Sequence, residues 1–364
     1  MKKTNILITS LFCAYIGGFF VLNALSEDKI FSEQENRTLG QKPEFSFETL
    51  VSGEFTKKYE TYVTDQFVFR DKFMEIKSNT ESLLGKMENN DVYISTENTL
   101  IDKFDKPSYE QVDINMRYIN NFAQAVEIPV YFSLIPTQND IYQYKLPQNA
   151  PIYSQKEVID YAYALYSGID VYDALMDKKD EYIYYNTDHH WTSLGAYYAY
   201  ATLMDAMEKV PSDIENLEKE TLSESFNGTI YSSSGVRYVK SDIIDIYTKN
   251  QTIEILDVDG LRYSELYDMS KLEQKDQYEV FLGGNDPLVK LTGTGEGKLL
   301  ILKDSYTNAQ VPFMLENYEE IHLVDLRFYK IPMSEYVEEN EIDQVLISYS
   351  ISNFTTDTNL IFLR

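Results

Sequence analysis

Four short apolar runs, separated by amphipathic stretches, constrain the fold of this chain more than any other feature. They are Pro129–Ile135 (PVYFSLI), Lys298–Leu302 (KLLIL), Glu320–Val324 (EIHLV) and Gln344–Ser348 (QVLIS). Short runs without polar interruption are typical of strands that are buried on both faces, as in parallel sheets. Because helical periodicity lies between them, we predict an α/β fold with a mostly parallel sheet and helices on both of its faces.

The remaining segments add helices, short strands and a more polar region. Apolar spacing of three and four residues predicts a helical pair over Thr49–Leu84 and single helices over three further segments. Those segments are Tyr109–Val126, Glu157–Tyr166 and Leu194–Glu208. A hairpin is predicted over Val92–Phe104 around Thr96-Glu97-Asn98, and a strand over Ile169–Tyr172. We interpret the segment from about 210 to 297 as a β-rich insertion in a main domain over residues 91–364, which follows a helical and linker segment over 26–90.

The N-terminal segment has the character of a membrane anchor. Ile6–Leu25 carries no charge and follows Lys2 and Lys3, and its length matches the roughly 30 Å hydrocarbon core of a bilayer. The lysines favour the cytoplasmic side, which places the rest of the chain outside the membrane. A cleaved signal peptide is the alternative, although its apolar part is normally shorter and Ala24 and Ser26 form a weak cleavage site. We therefore predict an uncleaved anchor over residues 1–25.

Charge and cysteine content exclude several classes of function. The chain has 59 acidic and 32 basic residues, with a formal net charge of −27. Nucleic-acid affinity depends largely on Lys and Arg that neutralise phosphates, so we expect no nucleic-acid partner and favour a neutral or cationic one. The single cysteine, Cys13, lies inside the apolar N-terminal segment. It provides neither a disulfide framework nor a thiolate metal site.

The first candidate for chemistry is the block Asn186-Thr187-Asp188-His189-His190-Trp191. If this block is extended, Asp188 and His190 point to the same side and His189 points to the opposite side. A carboxylate beside an imidazole fixes its tautomer and stabilises the imidazolium that forms during proton transfer. A metal site is the alternative, but it needs a further ligand and His322 is the only other histidine.

The second candidate is Lys303-Asp304-Ser305-Tyr306, which follows the apolar run KLLIL and precedes helical spacing over Thr307–Tyr318. A serine at such a strand-to-helix turn lies at the carboxyl edge of a parallel sheet. Its hydroxyl is presented there, and nearby backbone N–H groups can bind an oxyanion. The alternative is that Ser305 only caps the helix.

Both candidate blocks resemble the bacterial DHHW family. The resemblance rests on Asn186–Tyr200 (NTDHHWTSLGAYYAY), Lys303–Phe313 (KDSYTNAQVPF), Glu35–Leu39 (ENRTL) and Asp65–Asp71 (DQFVFRD). That family is similar to the alginate O-acetyltransferase proteins, whose SGNH-hydrolase-like domain carries an Asp-x-His pair before its serine. The resemblance implies a three-layer α/β/α sandwich in which Asp188 and His190 are the Asp-x-His pair and Ser305 is the nucleophile.

One position departs from the family pattern and one block extends it. Lys303 stands where a Gly-Asp-Ser motif has glycine, so the turn is expected to be less sharp than in typical hydrolases. Gly283-Gly284-Asn285-Asp286 is similar to the Gly-x-Asn-Asp block of SGNH enzymes, which implies that Asn285 lines the oxyanion hole. A glycine-rich β-turn without a catalytic role is the alternative.

The resemblance also implies a function. It suggests an extracytoplasmic O-acyltransferase that transfers an acetyl group to a polysaccharide, with a membrane-bound O-acyltransferase as the acyl donor. No cofactor and no metal ion are expected. An esterase with the same triad and water as acceptor stays open, because sequence does not reveal which acceptor enters the cleft. A polysaccharide-binding or assembly protein without catalytic activity is the third interpretation.

Overall fold

A computed structural model describes residues 2–32, 37–95, 97–257 and 260–363. The chain divides into two compact units, one made of residues 1–86 and 232–237 and the other of residues 87–231 and 238–364. Glu35 and Asn36 of the ENRTL segment and Thr96 of the predicted hairpin lie outside the described residues. The assignment of residues 26–90 to a helical and linker segment and of about 210–297 to an insertion stays a prediction.

The first unit is mainly helical. Its elements are α1 (Lys2–Leu25), β1 (Phe31–Ser32), β2 (Arg37–Thr38), α2 (Phe47–Val51), α3 (Glu54–Asp65) and α4 (Arg70–Leu83). Helices α3 and α4 confirm the predicted helical pair. Residues Lys3–Leu25 of α1 are long and apolar enough to cross a membrane, as an anchor or a signal sequence would.

An ion pair joins two of the segments that carry the family resemblance. The Arg37 guanidinium donates to both carboxylate oxygens of Asp65, at 2.9 and 2.6 Å, and the Gly40 N–H donates to the same carboxylate. These bonds, with the hydrogen bond from Arg37 as the largest cause, lower the pKa of Asp65 to about 2. The pair therefore holds the β2 segment against the end of α3 across the whole neutral pH range.

The rest of the chain alternates strands and helices. The strands are β3 (Glu88–Asn89), β4 (Val92–Ile94), β5 (Leu100–Asp102), β6 (Val130–Ile135), β7 (Glu220–Phe226), β8 (Asp242–Ile246), β9 (Thr252–Asp257), β10 (Gly260–Glu265), β11 (Leu288–Thr292), β12 (Lys298–Lys303), β13 (Glu320–Val324) and β14 (Gln344–Ser350). The helices are α5 (Tyr109–Ala125), α6 (Gln138–Ile141), α7 (Gln155–Leu165), α8 (Tyr172–Asp177), α9 (Ser193–Ala206), α10 (Thr229–Ser234), α11 (Val311–Met314), α12 (Met333–Glu339) and α13 (Ile351–Phe354). Short 3-10 helices cover Gln143–Lys145, Ile214–Asn216, Met269–Glu273, Gln277–Val280, Ser305–Ala309 and Asn359–Phe362.

The main sheet is mixed, with the strand order β10-β9-β11-β13-β12-β14-β6. The pairs β12–β13, β12–β14 and β14–β6 are parallel, and the pairs β10–β9, β9–β11 and β11–β13 are antiparallel. The prediction of a mostly parallel sheet is therefore wrong. The polar segment from about 210 to 297 adds β9, β10 and β11 to one side of the sheet, and the main-sheet pairs that these strands form are antiparallel. Strands β6 and β12 are near neighbours in the sheet, since only β14 lies between them.

Apolar cores cover both faces of the parallel strands. Along β12, Leu299 and Ile301 pack into one core, which also contains residues of α9. Leu300 and Leu302 pack into the other core, which contains residues of α5 and α7. Burial on both faces explains why these strands have continuous rather than alternating apolar sequences.

Two local predictions have opposite outcomes. Strands β4 and β5 pair antiparallel, which confirms the hairpin. The strand predicted over Ile169–Tyr172 is wrong, because these residues form no strand and α8 begins at Tyr172. The Asp170 side chain accepts a hydrogen bond from the Tyr172 N–H, which closes a turn instead of extending the chain.

Candidate active site

Ser305 lies at the carboxyl edge of the parallel strands, where β12 ends at Lys303 and a 3-10 helix begins. Asp304 is the cap of that helix, since its Oδ1 accepts from the Tyr306 N–H at 3.0 Å. The other oxygen, Oδ2, accepts from the Ser350 N–H and hydroxyl and from Asn353 Nδ2, at 2.7–2.8 Å. The alternative that Ser305 caps the helix is therefore wrong. Asp304 fixes the turn to the end of β14 and leaves the Ser305 hydroxyl for another partner.

That partner is His190, which is 115 positions away in the sequence. His190 Nε2 lies 2.8 Å from Ser305 Oγ, and His190 Nδ1 lies 2.6 Å from Asp188 Oδ1. Asp188, His190 and Ser305 are all buried. The structure thus brings the three predicted residues into one hydrogen-bonded chain, and their catalytic roles are taken up below as a proposal.

The DHHW block reaches this geometry through a turn. The His190 N–H donates to Asp188 Oδ1 at 3.0 Å, so the carboxylate closes a short turn onto the backbone two residues later. Because the block bends, the expectation that His189 faces away is wrong. The centroids of the two imidazole rings lie 3.8 Å apart, and His189 Nδ1 is 2.7 Å from Thr229 Oγ1.

Thr229 holds the second carboxylate oxygen of Asp188. Its N–H and its hydroxyl both donate to Asp188 Oδ2, at 2.8 and 2.9 Å. The backbone before it approaches Asp188 so closely that a Cβ on Gly228 would lie 2.3 Å from the Asp188 Cβ. Sequence reasoning missed Thr229, because it lies in the segment interpreted as an insertion. The Asn227-Gly228 pair predicts a turn, but nothing in the sequence tells which side chain that turn meets.

Aromatic residues fix the imidazole and the serine turn. The Tyr278 ring stacks on the His190 ring with centroids 3.7 Å apart and an interplanar angle of 6°. The Tyr278 hydroxyl donates to the Ser305 carbonyl at 3.2 Å. The only tryptophan, Trp191, is fully buried and donates its indole N–H to the Tyr306 carbonyl at 2.8 Å. These contacts limit rotation of His190 and Ser305 away from each other.

A family model described as DHHW protein matches residues 92–324, which is more than half of the chain. The chain belongs to the DHHW family. It resembles a DHHW family protein from Eubacterium siraeum with a TM-score of 0.66 and 24% identity, over 76% of this chain and 95% of that one. Bacillus cereus PatB1, solved with a sulfonyl adduct, gives a TM-score of 0.63 and 20% identity, over 74% of this chain and 97% of that one.

A third structure, the O-acetyltransferase domain of Pseudomonas putida AlgJ, gives a TM-score of 0.47 and 13% identity, over 73% of this chain and 92% of that one. A search of curated proteins by sequence gives no match. At such identities the first two structures establish a shared α/β fold with a mixed sheet.

In this DHHW protein, the electrostatics of the site suit proton transfer from serine to histidine. Burial, with a contribution from His189, lowers the pKa of His190 to about 4, although Asp188 acts in the opposite direction. Burial raises the pKa of Asp188, but the two imidazoles and the hydrogen bonds that it accepts outweigh burial, and the net pKa lies below its ordinary value. At neutral pH the pair is therefore a neutral imidazole beside a carboxylate, which is the state that accepts a proton.

Lys303, where the DHHW protein departs from a Gly-Asp-Ser motif, is buried beneath the serine turn. Its ammonium donates to Asn285 Oδ1 at 3.0 Å and to Asn308 Oδ1 at 2.5 Å. Burial lowers the pKa of Lys303 to about 8. Among the described residues Asn285 makes no hydrogen bond to His190 or Ser305, so its oxyanion role stays a prediction. Because its oxygen is occupied by Lys303, its amide N–H groups are the ones available to a ligand.

Asp188, His189 and His190 offer three potential metal ligands whose donor atoms lie within 4.8 Å of one another. However, both nitrogens of His190 already have partners, Asp188 Oδ1 and Ser305 Oγ. Binding a metal through this ring would break one of those bonds. His322 is engaged elsewhere, with Tyr336 and Glu320. The arrangement therefore fits proton transfer better than metal coordination.

Proposed function

We propose that Ser305, His190 and Asp188 are the catalytic triad of an O-acyltransferase that works through an acyl-serine intermediate. The observation that carries this proposal is the unbroken hydrogen-bond chain from Asp188 Oδ1 through both nitrogens of His190 to Ser305 Oγ. A neutral imidazole at hydrogen-bond distance from a serine hydroxyl is the usual activation of that nucleophile. We infer that the chain has the three-layer SGNH-hydrolase-like arrangement that the family resemblance implies.

The reaction has two half-reactions. In the first, Ser305 Oγ attacks the carbonyl carbon of the donor ester while its proton moves to His190 Nε2. The tetrahedral oxyanion then collapses, and the leaving alkoxide takes that proton as its bond to the acyl carbon breaks. In the second, an acceptor hydroxyl gives its proton to His190 and attacks the acyl carbon. The bond to Ser305 Oγ breaks, and the serine regains the proton.

In this mechanism the groups around the three residues have supporting roles. Asp188 stabilises the imidazolium that forms in each half-reaction, and Thr229 keeps the carboxylate in place through two hydrogen bonds. The Ser305 N–H and the Asn285 amide are the proposed oxyanion donors. Lys303 orients the Asn285 amide by binding its oxygen.

We propose acetyl as the acyl group, a cell-surface or exported polysaccharide as the acceptor and a membrane-bound O-acyltransferase as the donor. These choices rest on the resemblance to the alginate O-acetyltransferase proteins. An apolar α1 that retains the domain on the outer face of the membrane agrees with them. The reaction needs no cofactor, because the acyl group arrives as an ester.

The proposal is tested by pre-steady-state kinetics with 4-nitrophenyl acetate. We expect a burst of 4-nitrophenol equal to the enzyme concentration, absent in Ser305→Ala and His190→Ala and retained in the control Ser270→Ala, which changes an exposed serine of the same domain. The burst should persist in EDTA. A burst that disappears with EDTA and returns with zinc would replace the serine mechanism by a metal mechanism.

A further inference from the structure

A cavity of about 250 Å³ opens at the same edge of the sheet as Ser305. Its polar lining comes from residues at or just after the ends of β5, β6 and β14: Asp102, Lys103, Thr137, Gln138, Ser350, Ser352 and Asn353. His189 and Tyr306, the sequence neighbours of His190 and Ser305, line it as well. Ligands of α/β folds bind in the crevice at the carboxyl ends of parallel strands. The cavity is slightly smaller than the roughly 300–1,000 Å³ of typical small-molecule sites, which suits about one sugar ring.

Gln138 lines this cavity and carries a buried acceptor without a partner among the described residues. Its Nε2 donates to the Asp188 carbonyl at 3.1 Å, and this bond fixes the orientation of the amide. Its Oε1 is buried and has no hydrogen-bond partner among the described residues. Buried polar atoms nearly always have one, so this oxygen can accept a hydrogen bond from a ligand that reaches it.

We propose that this cavity is the acceptor subsite, in which Gln138 Oε1 accepts a hydrogen bond from a hydroxyl of the sugar ring that receives the acyl group. This assignment rests on the proposed function. The hydroxyl, amide, ammonium and carboxylate lining matches a polyhydroxylated ligand, and the rings of His189 and Tyr306 add aromatic lining. Two residues of the subsite, His189 and Tyr306, directly neighbour the reacting pair, His190 and Ser305, in the sequence.

The test separates the two half-reactions. The enzyme is acylated with 4-nitrophenyl acetate, and acetyl transfer to cellopentaose is followed by mass spectrometry. Gln138→Met removes the acceptor oxygen and Ser352→Leu fills the cavity, and each should raise the KM for cellopentaose at least tenfold. Transfer is normalised to the acylation burst. Ser270→Leu, on the exposed surface, is the control for the serine-to-leucine change.

The outcomes distinguish the subsite from the mechanism. No burst in the wild-type protein would contradict the proposed function itself. A normal burst with unchanged cellopentaose KM in both variants would overturn the subsite. A normal burst that leads only to acetate, without transfer to the pentasaccharide, would overturn the assignment of a sugar ligand.

A second inference rests on separate contacts in the first unit, where α1 packs against the corner between α3 and α4. Phe19 stacks on Phe67 with centroids 5.7 Å apart and an interplanar angle of 5°. Phe19 also contacts Phe73, at 5.8 Å. The Val68 N–H donates to Asn23 Oδ1 at 2.8 Å. Phe19 precedes Leu25, the last residue of α1, by six residues. Six residues correspond to about 9 Å along a helix, so the corner lies alongside the outer end of the apolar span.

The corner presents apolar side chains to its surroundings. Phe69 is 59% exposed and Ile76 60%. Phe69 also has a φ of 59°, a conformation that is unfavourable for a bulky residue and tends to persist at functional sites. Helices that lie in the interface of a bilayer bury Phe, Trp and Leu at the boundary between headgroups and acyl chains.

We propose that α1 is a retained anchor and that the α3–α4 corner rests in the outer interface of the same membrane, with Phe69 inserted among the lipids. The occupant of this apolar surface is therefore lipid. A signal sequence that is cleaved makes no lasting contacts with the mature chain, whereas α1 contacts the corner through Phe19 and Asn23.

The test places a tryptophan at the corner of the full chain, reconstituted in phosphatidylcholine vesicles with or without dibrominated acyl chains. Trp191 is fully buried and gives a constant background. Bromine should quench at least half of the additional emission of Phe69→Trp and much less of that of Phe47→Trp, a control at a 76% exposed position on α2 of the same unit. Equal quenching in the two variants, or none in Phe69→Trp, would overturn the proposal.

Discussion

Thr229→Val is the most informative perturbation of the site, because it is nearly isosteric and removes a single hydroxyl. That hydroxyl lies 2.9 Å from Asp188 Oδ2 and 2.7 Å from His189 Nδ1. A hydrogen bond to a charged group is worth about 1.5–3 kcal/mol and a neutral one about 1 kcal/mol. We therefore expect the free energy of unfolding to fall by about 3 kcal/mol, measured by denaturant titration.

The effect of Thr229→Val on catalysis should be smaller than its effect on stability. Asp188 keeps its bonds from the His190 backbone and ring and from the Thr229 N–H, so the carboxylate shifts but stays in place. A loss of about 1.4 kcal/mol in the acylation barrier corresponds to about a tenfold slower burst with 4-nitrophenyl acetate. Thr229→Ser retains the hydroxyl and should behave like the wild type. Wild-type stability and burst rate in Thr229→Val would refute the supporting role of this residue.

Three further predictions concern the rest of the site. The acylation rate should stay constant on lowering the pH from 7 to 5 and fall through about pH 4, because protonated His190 accepts no proton; a midpoint near 6.5 would contradict this. Gly228→Ala should lower the free energy of unfolding by about 1–3 kcal/mol and slow the burst, since the new Cβ displaces Asp188; unchanged calorimetric and kinetic behaviour would count against it. Lys303→Met should slow acylation about tenfold, because the Asn285 amide loses the hydrogen bond that orients it. This loss is smaller than the 10²–10³-fold that is typical of a deleted oxyanion donor. A wild-type rate would argue against the role of Lys303 in orienting Asn285.

The sequence was sufficient for those parts of the fold that depend on local pattern. The runs that form β6, β12, β13 and β14 are apolar because both faces of these strands are buried, so their positions could be read directly. Strands β9 to β11 carry no such signal, because they are part of a polar segment and pair antiparallel at one side of the sheet. The sheet was therefore predicted as more parallel than it is.

The candidate site, like the fold, could be predicted only in part. The proximity of Asp188, His190 and Ser305 could be predicted, since two short blocks and a family resemblance single them out. The predicted orientation of His189 was wrong. The prediction required an extended backbone, whereas the block forms a turn that is closed by the Asp188 carboxylate. Thr229 and Tyr278 reach Asp188 and His190 through tertiary contacts, and no local pattern marks such residues.

The central claim is that His190 activates Ser305 as a nucleophile, and covalent labelling tests it most directly. The full chain is treated with a fluorophosphonate probe or a sulfonyl fluoride, a choice suggested by the sulfonyl adduct of PatB1, and the modified peptide is sequenced by mass spectrometry. We predict one adduct per chain on Ser305, lost in Ser305→Ala and at least a hundredfold slower in His190→Ala. Labelling at another residue, or labelling of Ser305 at the same rate without His190, would contradict the account.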